Sequence, residues 1–177
     1  LLSCADQAVV SRARILVAGA SGFVGQRLVP LLSEVADVTA VRREALPGGG
    51  ERATVLSGME AGWTRTLPPA DIVGWVAQSR RYREFPAGAA DMVAVNVAAF
   101  FELIDWAARS GVRRVVYASS GSVYARTGGL LSERGPTAAT TMYAATKLSA
   151  EHLLAQYAGV FEIVTARVFA VRNSMAK

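Results

Sequence analysis

The sequence predicts an α/β fold, in which a parallel sheet is covered by helices on both faces to give three layers. Short apolar segments that read as strands alternate along the chain with longer segments of helical periodicity. The strand segments are continuous apolar runs and lack the in-out alternation of a sheet with one exposed face. This combination is typical of a parallel sheet between two helical layers.

The first half of the chain opens with a strand and a helix. The helix follows from apolar residues at helical spacing, namely Val24, Leu28, Leu31 and Leu32. A later stretch with Pro47 and three consecutive glycines predicts a loop. The predicted elements are, in order, a strand at 14–18, a helix at 23–34, a strand at 37–41, a loop at 45–52 and strands at 54–57 and 71–77.

The second half of the chain adds two helices and two strands. The first of these helices ends near Gly111, as expected for a helix stop, and the second has Thr141 at its start. The predicted elements are a helix at 91–109, a strand at 112–118, a region that is mostly loop at 121–140, a helix at 141–157 and a strand at 161–168.

Composition narrows the class of protein. The 177 residues suffice for one domain, and 52% hydrophobic with 19% charged residues is ordinary for a soluble globular chain. No apolar run approaches the roughly 20 residues of a membrane helix, so a membrane partner is not predicted. The net charge of +5 comes from small basic groups rather than a long basic tract, which disfavours nucleic acid. A single cysteine, Cys4, excludes an internal disulfide and favours a cytoplasmic protein.

A glycine-rich turn lies between the first strand and the first helix. It reads Gly19-Ala20-Ser21-Gly22-Phe23-Val24-Gly25. Glycines allow a tight turn and a close backbone approach, so that N–H groups at the helix start can bind a pyrophosphate. The position of this turn predicts a Rossmann-like doubly wound parallel sheet that binds a dinucleotide, although a glycine turn without a ligand is the alternative.

Two arginines, Arg42 and Arg43, follow the second strand. A dinucleotide fold that binds NAD usually has an acidic residue here, which bonds the ribose hydroxyls. Guanidinium groups suit a ribose 2′-phosphate instead. The pair therefore favours NADP over NAD, unless it is only a solvated basic pair.

Tyr143 and Lys147 lie four residues apart on the second of the later helices. This spacing puts a phenol and an ammonium on one helix face. A nearby cation would lower the pKa of the tyrosine from its usual value of about 10 and would fit it for proton transfer. A coincidental pair on a solvated helix is the alternative.

With these residues the chain resembles an extended short-chain dehydrogenase/reductase, of the NAD(P)-dependent epimerase/dehydratase family. The resemblance covers residues 14–171, which would form the NAD(P)-binding Rossmann domain. Residues 1–13 would be an N-terminal extension. Residues 172–177 would be a tail, without the C-terminal substrate-binding region of the family. It rests on four motifs: Gly19-x-x-Gly22-x-x-Gly25, Asn96-Val97, the segment 111–124, and Tyr143-x-x-x-Lys147 followed by Glu151.

The resemblance implies a role for each matching residue. Ser120 would hydrogen-bond the reacting hydroxyl or carbonyl, because it lies three residues before Val123 where the family keeps a Ser or Thr; its alternative role is to cap its own backbone. Tyr143 would transfer the proton, and Lys147 would bind the nicotinamide ribose and lower the tyrosine pKa. Asn96 would bond backbone groups and hold the active strand in place. The implied cofactor-binding positions are Gly19, Ser21, Gly22, Phe23, Val24, Gly25, Arg42, Arg43, Ala77, Asn96, Tyr143, Lys147 and Phe169.

Several positions depart from the family pattern. Gly121 and Ser122 stand where dehydratases have acidic residues, which disfavours dehydration. Ala170 replaces an Asn that helps to hold nucleotide sugars. Met59 stands near the place of an Asp that touches adenine. Trp75 and Gln78 replace a common His and Ala.

The preferred hypothesis is a cytoplasmic NAD(P)-dependent oxidoreductase or epimerase. It would transfer hydride reversibly at a secondary alcohol or ketone of a small molecule, possibly a sugar nucleotide, and could form a homodimer through the helices at 91–109 and 141–157. One alternative is a non-catalytic dinucleotide-binding sensor or scaffold, and another, based on net charge alone, is a nucleic-acid-binding Rossmann domain.

Overall fold

The computed structural model describes residues 12–42, 53–57, 59–126 and 128–169. The elements are β1 (Arg14–Ala18), α1 (Gly25–Val35), β2 (Asp37–Arg42), β3 (Ala53–Ser57), β4 (Ile72–Trp75), α2 (Ala89–Val93), a π-helical segment (Ala94–Ala99), α3 (Phe100–Arg109), β5 (Arg114–Ser120), α4 (Met142–Ala155) and β6 (Glu162–Val168). The predicted loop at 45–52, Arg43 and the tail lie outside the described residues, as does nearly all of the N-terminal extension.

The sheet has six parallel strands in the order β3-β2-β1-β4-β5-β6. This confirms the predicted doubly wound α/β fold. The strands β2 and β3 lie on one side of β1, and the strands β4, β5 and β6 lie on the other side. The strand order therefore reverses between β1 and β4. In such sheets a crevice opens at the carboxyl ends of the strands beside this reversal.

Each face of the sheet carries its own buried cluster. Consecutive residues of a strand point to opposite faces, and Leu16 and Val17 accordingly belong to different clusters. Leu16 packs in the larger cluster with Trp75, Phe100 and Tyr117, all of which are fully buried. Val17 packs in the smaller cluster with Val29 of α1. The two clusters place the helices in two layers, one on each face of the sheet.

Several predicted boundaries were wrong by a few residues. The helix predicted at 23–34 begins at Gly25, because the glycine turn extends through Val24. The strand predicted at 71–77 ends at Trp75. The strand predicted at 112–118 continues to Ser120, because it pairs with β6 in register as far as Ser120 opposite Val168.

The two later helices and the last strand also differ in detail. The helix predicted at 91–109 begins earlier, at Ala89, and contains a π-helical segment that periodicity does not reveal. The helix predicted at 141–157 ends at Ala155, with Thr141 as its N-cap. Side chains of β6 are mostly exposed or half-exposed, unlike those of the central strands, because β6 lies at the edge of the sheet. Among the described residues, no helix has the length and apolarity needed to cross a membrane.

Candidate functional site

A cavity of about 800 Å³ lies at the carboxyl ends of β1, β4 and β5. Its wall runs from the glycine turn, past the segment that follows β4, to the end of β5 and the first turns of α4. Ten of the predicted site positions line it: Gly19, Ser21, Gly22, Phe23, Val24, Ala77, Ser120, Tyr143, Lys147 and Phe169. The cavity therefore joins the predicted phosphate end to the predicted proton-transfer centre.

The glycine turn requires glycine at two positions. Gly19 has a φ of 95°, and a Cβ there would lie 2.6 Å from Cα of Ala77. A Cβ at Gly25 would lie 2.6 Å from Cα of Ala20, although Gly25 itself does not line the cavity. No side chain caps the start of α1. N–H groups in the first turn of α1 donate to backbone carbonyls of the glycine turn. A pyrophosphate would therefore be held by N–H groups of the glycine turn itself, several of whose residues line the cavity.

Arg42 ends β2 and lies outside the cavity wall. Its Nε is buried and has no hydrogen-bond partner among the described residues. A buried guanidinium nitrogen of this kind retains a free donor for a ligand at the carboxyl end of β2. The observation fits the predicted contact with a ribose phosphate, while Arg43 lies outside the described residues.

Tyr143 lies in the first turn of α4, which Thr141 caps by accepting from the N–H of Ala144 at 3.1 Å. The Tyr143 hydroxyl donates to Oε1 of Gln78 at 3.0 Å. Burial raises the pKa of Tyr143, a hydrogen bond with Ser120 opposes this shift, and the nearby Tyr82 phenol adds to it. Tyr143 is therefore held in its protonated form, as a proton donor.

Ser120 ends β5 beside Tyr143. Its Oγ accepts from the N–H of Ser122 at 3.2 Å and from the Ser122 hydroxyl at 2.9 Å. The backbone cap considered as the alternative role is thus present. It uses only the acceptor capacity of Ser120, and the hydroxyl hydrogen can still be donated to a second group at the cavity.

Lys147 is 2% exposed, although it lines the cavity. Its ammonium donates to the Ala118 carbonyl at 2.9 Å and lies 5.1 Å from the Tyr117 ring centroid. Burial lowers the pKa of Lys147 to about 8, and the Glu151 carboxylate opposes this shift. The expectation that Lys147 lowers the pKa of Tyr143 is not met: the tyrosine pKa is raised, because burial outweighs the other contributions.

Asn96 does not line the cavity, in contrast to its predicted place among the cofactor-binding positions. It is fully buried in the π-helical segment. Its Oδ1 accepts from the N–H of Ser79 at 2.9 Å, which is the kind of backbone bond the sequence predicted. Its Nδ2 donates to Oγ1 of Thr146 at 3.0 Å. Asn96 therefore ties the segment after β4 to α4, rather than holding β5.

Sequence reasoning missed a partly buried ion pair behind the site. The Arg167 guanidinium donates to the Glu151 carboxylate, with a distance of 2.7 Å from Nη2 to Oε2. The Ser119 hydroxyl donates to the same carboxylate. The pair joins α4 to β5 and β6 and supplies the negative charge near Lys147. The sequence signal was Glu151, four residues after Lys147.

The segment after β4 supplies cavity residues that the motifs did not assign to the site. Gln78 was noted only as a departure from the family. The Tyr82 ring lies 5.3 Å from the Tyr143 ring, and Arg80 and Arg83 line the same cavity. Their position directly after a parallel strand was the available signal, because such segments meet at the carboxyl edge of the sheet. Among the described residues, no group of three or more His, Cys, Asp or Glu could hold a metal ion.

Replacing Lys147 by Met should change how stability depends on pH. With a pKa of about 8 in the folded chain and 10.5 as its ordinary value, Lys147 is deprotonated in the folded chain first as pH rises. Between these pH values the unfolded chain binds more protons, so this residue makes the wild type more stable as pH rises, by up to about 1.4 kcal/mol per pH unit. Below pH 8 Lys147 is protonated in both the folded and the unfolded chain, and the stability gained at higher pH is absent. Lys147→Met should lack this rise.

Urea unfolding of both proteins at several pH values measures this difference. Lys177→Met removes the only other lysine of the sequence and should follow the wild type. A wild-type minus Lys147→Met difference that stays constant from pH 8 to 10.5 would show that Lys147 has an ordinary pKa.

Comparisons with known proteins agree with this geometry. Residues 15–172 match the model of the NAD dependent epimerase/dehydratase family. A short-chain dehydrogenase/reductase superfamily protein from Agrobacterium tumefaciens, solved with bound NAD, is 31% identical over 87% of this chain and 48% of its own, with a TM-score of 0.77. A UDP-galactose 4-epimerase is 28% identical over 87% of this chain and 55% of its own, with a TM-score of 0.78.

A third solved structure, MoeE5 in complex with UDP-glucose and NAD, is 31% identical over 86% of this chain and 52% of its own, with a TM-score of 0.72. No curated protein matches the sequence. The chain spans about half the length of the solved relatives it matches. The family match covers nearly all of the chain and includes both ends of the cavity. The chain belongs to the NAD-dependent epimerase/dehydratase family.

Proposed function

We propose that the chain is the cofactor-binding part of an NAD(P)-dependent oxidoreductase or epimerase that transfers hydride reversibly at a secondary alcohol or ketone. The observation that carries this proposal is the single cavity of about 800 Å³ that contains both the glycine turn and the Ser120, Tyr143 and Lys147 side chains. A phosphate site and a proton donor at opposite ends of one cavity suit a dinucleotide that reacts at its nicotinamide end.

The residues present fit such a cofactor. The N–H groups of the glycine turn would hold its pyrophosphate, because Gly19 and Gly25 leave no Cβ in the turn. Lys147, at the other end of the cavity, would bind the nicotinamide ribose. A bound nicotinamide supplies the hydride acceptor or donor.

The chemical roles of the side chains follow from their hydrogen bonds. Tyr143 is protonated and would give its hydroxyl proton to a ketone oxygen during reduction, and it would take a proton back during oxidation. Ser120 has a hydroxyl hydrogen to donate and would stabilise charge on the same oxygen.

The proposed substrate is a sugar nucleotide or a related sugar. Support comes from the solved relatives, which include a UDP-galactose 4-epimerase and a protein in complex with UDP-glucose. A ketone reductase or an epimerase fits better than a dehydratase, because Gly121 stands where dehydratases have an acid. A Cβ at Gly121 would lie 2.8 Å from Cγ of Phe169, so the Phe169 ring occupies the space of such a side chain.

A direct assay follows. The chain is incubated with oxidised dinucleotide and UDP-sugars, and the absorbance of reduced nicotinamide is followed. Appearance of reduced cofactor supports the proposal. The alternative, a non-catalytic dinucleotide sensor, is favoured by the hydrogen bond that engages the Tyr143 hydroxyl with Gln78. Tight dinucleotide binding with neither reduced cofactor nor an epimerised sugar product, also when the remaining half of the enzyme is supplied, would favour the sensor.

The proposal includes a preference for NADP, supported by Arg42. The Nε of this residue, which lacks a hydrogen-bond partner within the described part of the chain, would donate to a ribose 2′-phosphate. In contrast, two of the solved relatives contain NAD. The preference therefore depends on the end of β2 in this chain and is tested by mutation there.

Replacing Arg42 by Ala should weaken NADPH binding by about 10- to 100-fold, the equivalent of one charge-assisted hydrogen bond. NADH binding should change little, because NADH lacks the 2′-phosphate. Fluorescence titration of both cofactors into both proteins measures the effect. Arg109→Ala, which removes the same charge from an exposed position at the end of α3, is the matched control. Equal affinity for the two cofactors, unchanged in Arg42→Ala, would refute the phosphate contact.

A further inference from the structure

Gln78 contacts the proton donor directly. It follows β4, is exposed to the cavity, and accepts the Tyr143 hydroxyl hydrogen at 3.0 Å through its Oε1. The amide of Gln78 thus places a polar group directly at the proposed proton donor.

A closed path of hydrogen bonds fixes Gln78 relative to Tyr143. From the Tyr143 carbonyl the path leads to the Thr146 hydroxyl at 2.9 Å, and from there to Nδ2 of Asn96 at 3.0 Å. Oδ1 of Asn96 accepts from the N–H of Ser79 at 2.9 Å, and Ser79 is bonded to Gln78. Thr146, Asn96 and Ser79 are at most 3% exposed. The path returns to Tyr143 through the exposed Gln78 amide. Both ends of the tyrosine are therefore held by one network whose middle part is buried.

We propose that Gln78 is a positioning residue of the proton-transfer centre, whose amide keeps the Tyr143 hydroxyl in place in both of its protonation states. An amide is suited to this task because it carries an acceptor and a donor on one carbon. Its oxygen accepts from the phenol, as observed, and its NH₂ group donates to the phenolate after a half-turn of the amide. Gln78 itself transfers no proton: in reduction the proton passes from Tyr143 to the substrate oxygen, and in oxidation it returns.

Other titratable and charged groups also surround Tyr143, and the test must separate them from Gln78. Tyr82 approaches from the segment after β4, and Tyr117 from β5. Lys147 lies one turn further along α4, and Arg80 and Arg83 line the same cavity. None of these groups changes when Gln78 is substituted.

The test replaces Gln78 by Glu, which keeps the size of the side chain but can only accept hydrogen bonds when ionised. A carboxylate at this place repels the phenolate and stabilises the phenol. We therefore expect the pH of Tyr143 ionisation to rise by about one unit or more. Phenolate absorbance measures the titration, and subtraction of the curve of a Tyr143→Phe variant isolates the Tyr143 contribution. Gln78 is exposed, so the substitution leaves the core intact.

Gln156→Glu, which makes the same change of charge at an exposed site after α4, is the control and should titrate like the wild type. A Tyr143 transition at the same pH in Gln78→Glu and Gln156→Glu would overturn the proposal. This titration needs no turnover, so it remains informative if the proposed hydride transfer fails.

The role of Gln78 in catalysis rests on the proposed function and is measured by a separate experiment. In Gln78→Glu, alcohol oxidation, which needs the phenolate, should move to higher pH by the same amount as the titration. Ketone reduction at neutral pH, which needs the phenol, should be retained. Equal losses in both directions at every pH would indicate a merely structural role and would overturn the proposal.

Discussion

Replacement of Tyr143 by Phe is expected to slow hydride transfer by about 10²- to 10⁴-fold, the usual contribution of a positioned general acid or base. In the proposed centre the phenol is the group assigned to give a proton to the ketone oxygen, while the Lys147 ammonium donates to the Ala118 carbonyl. The ring remains, and with it the contact to Tyr82. Dinucleotide affinity should therefore be retained. Single-turnover absorbance and fluorescence titration measure the two quantities.

Tyr157→Phe is the matched control for this experiment. It removes a phenol from the end of the same helical region, where the Tyr157 ring packs against Phe161 and Phe101, far from the cavity. The rate of hydride transfer and the dinucleotide affinity should both remain those of the wild type. Full turnover in Tyr143→Phe would refute proton transfer by this residue, and loss of dinucleotide binding in the same variant would show that the Tyr143 hydroxyl holds the cofactor.

The fold could be predicted because its signals are local. Each described strand is a short apolar run, and the turn that starts with Gly19 must lie between a strand and a helix to bind phosphate. The boundaries were less predictable, because the end of β5 at Ser120 depends on pairing with β6, which is remote in sequence. The π-helical segment around Asn96 has no periodic signature distinct from an α-helix.

The contacts of the site were harder to predict than its members. The hydrogen bond from Tyr143 to Gln78 joins residues 65 positions apart, and a family pattern with Ala at that place does not suggest it. The pKa of Tyr143 was predicted in the wrong direction, because helical spacing reveals the nearby Lys147 but not the burial of the phenol. Spacing indicates which side chains share a helix face, whereas a pKa depends on everything that packs around them.

Replacement of Gly25 by Ala is expected to have the second large effect, on both stability and cofactor binding. The new Cβ would lie 2.6 Å from Cα of Ala20 and still closer to the Gly19 carbonyl oxygen, and both are backbone atoms that cannot rotate away. The turn and α1 must therefore separate, which should lower the free energy of unfolding by about 1–3 kcal/mol. The displaced N–H groups should bind dinucleotide at least about 100-fold more weakly. Urea unfolding and fluorescence titration measure the two losses.

Gly22→Ala separates the two roles that glycine has in this turn. A Cβ at Gly22 meets only the Gly19 carbonyl oxygen, at 3.2 Å, but Gly22 lines the cavity whereas Gly25 does not. Gly22→Ala should therefore keep nearly the stability of the wild type and still bind dinucleotide more weakly, because its methyl group occupies the space of the pyrophosphate. A stable Gly25→Ala variant would contradict the packing role of Gly25. Undiminished binding in Gly22→Ala would remove the pyrophosphate from this turn and with it the cofactor-binding role on which the proposed chemistry depends.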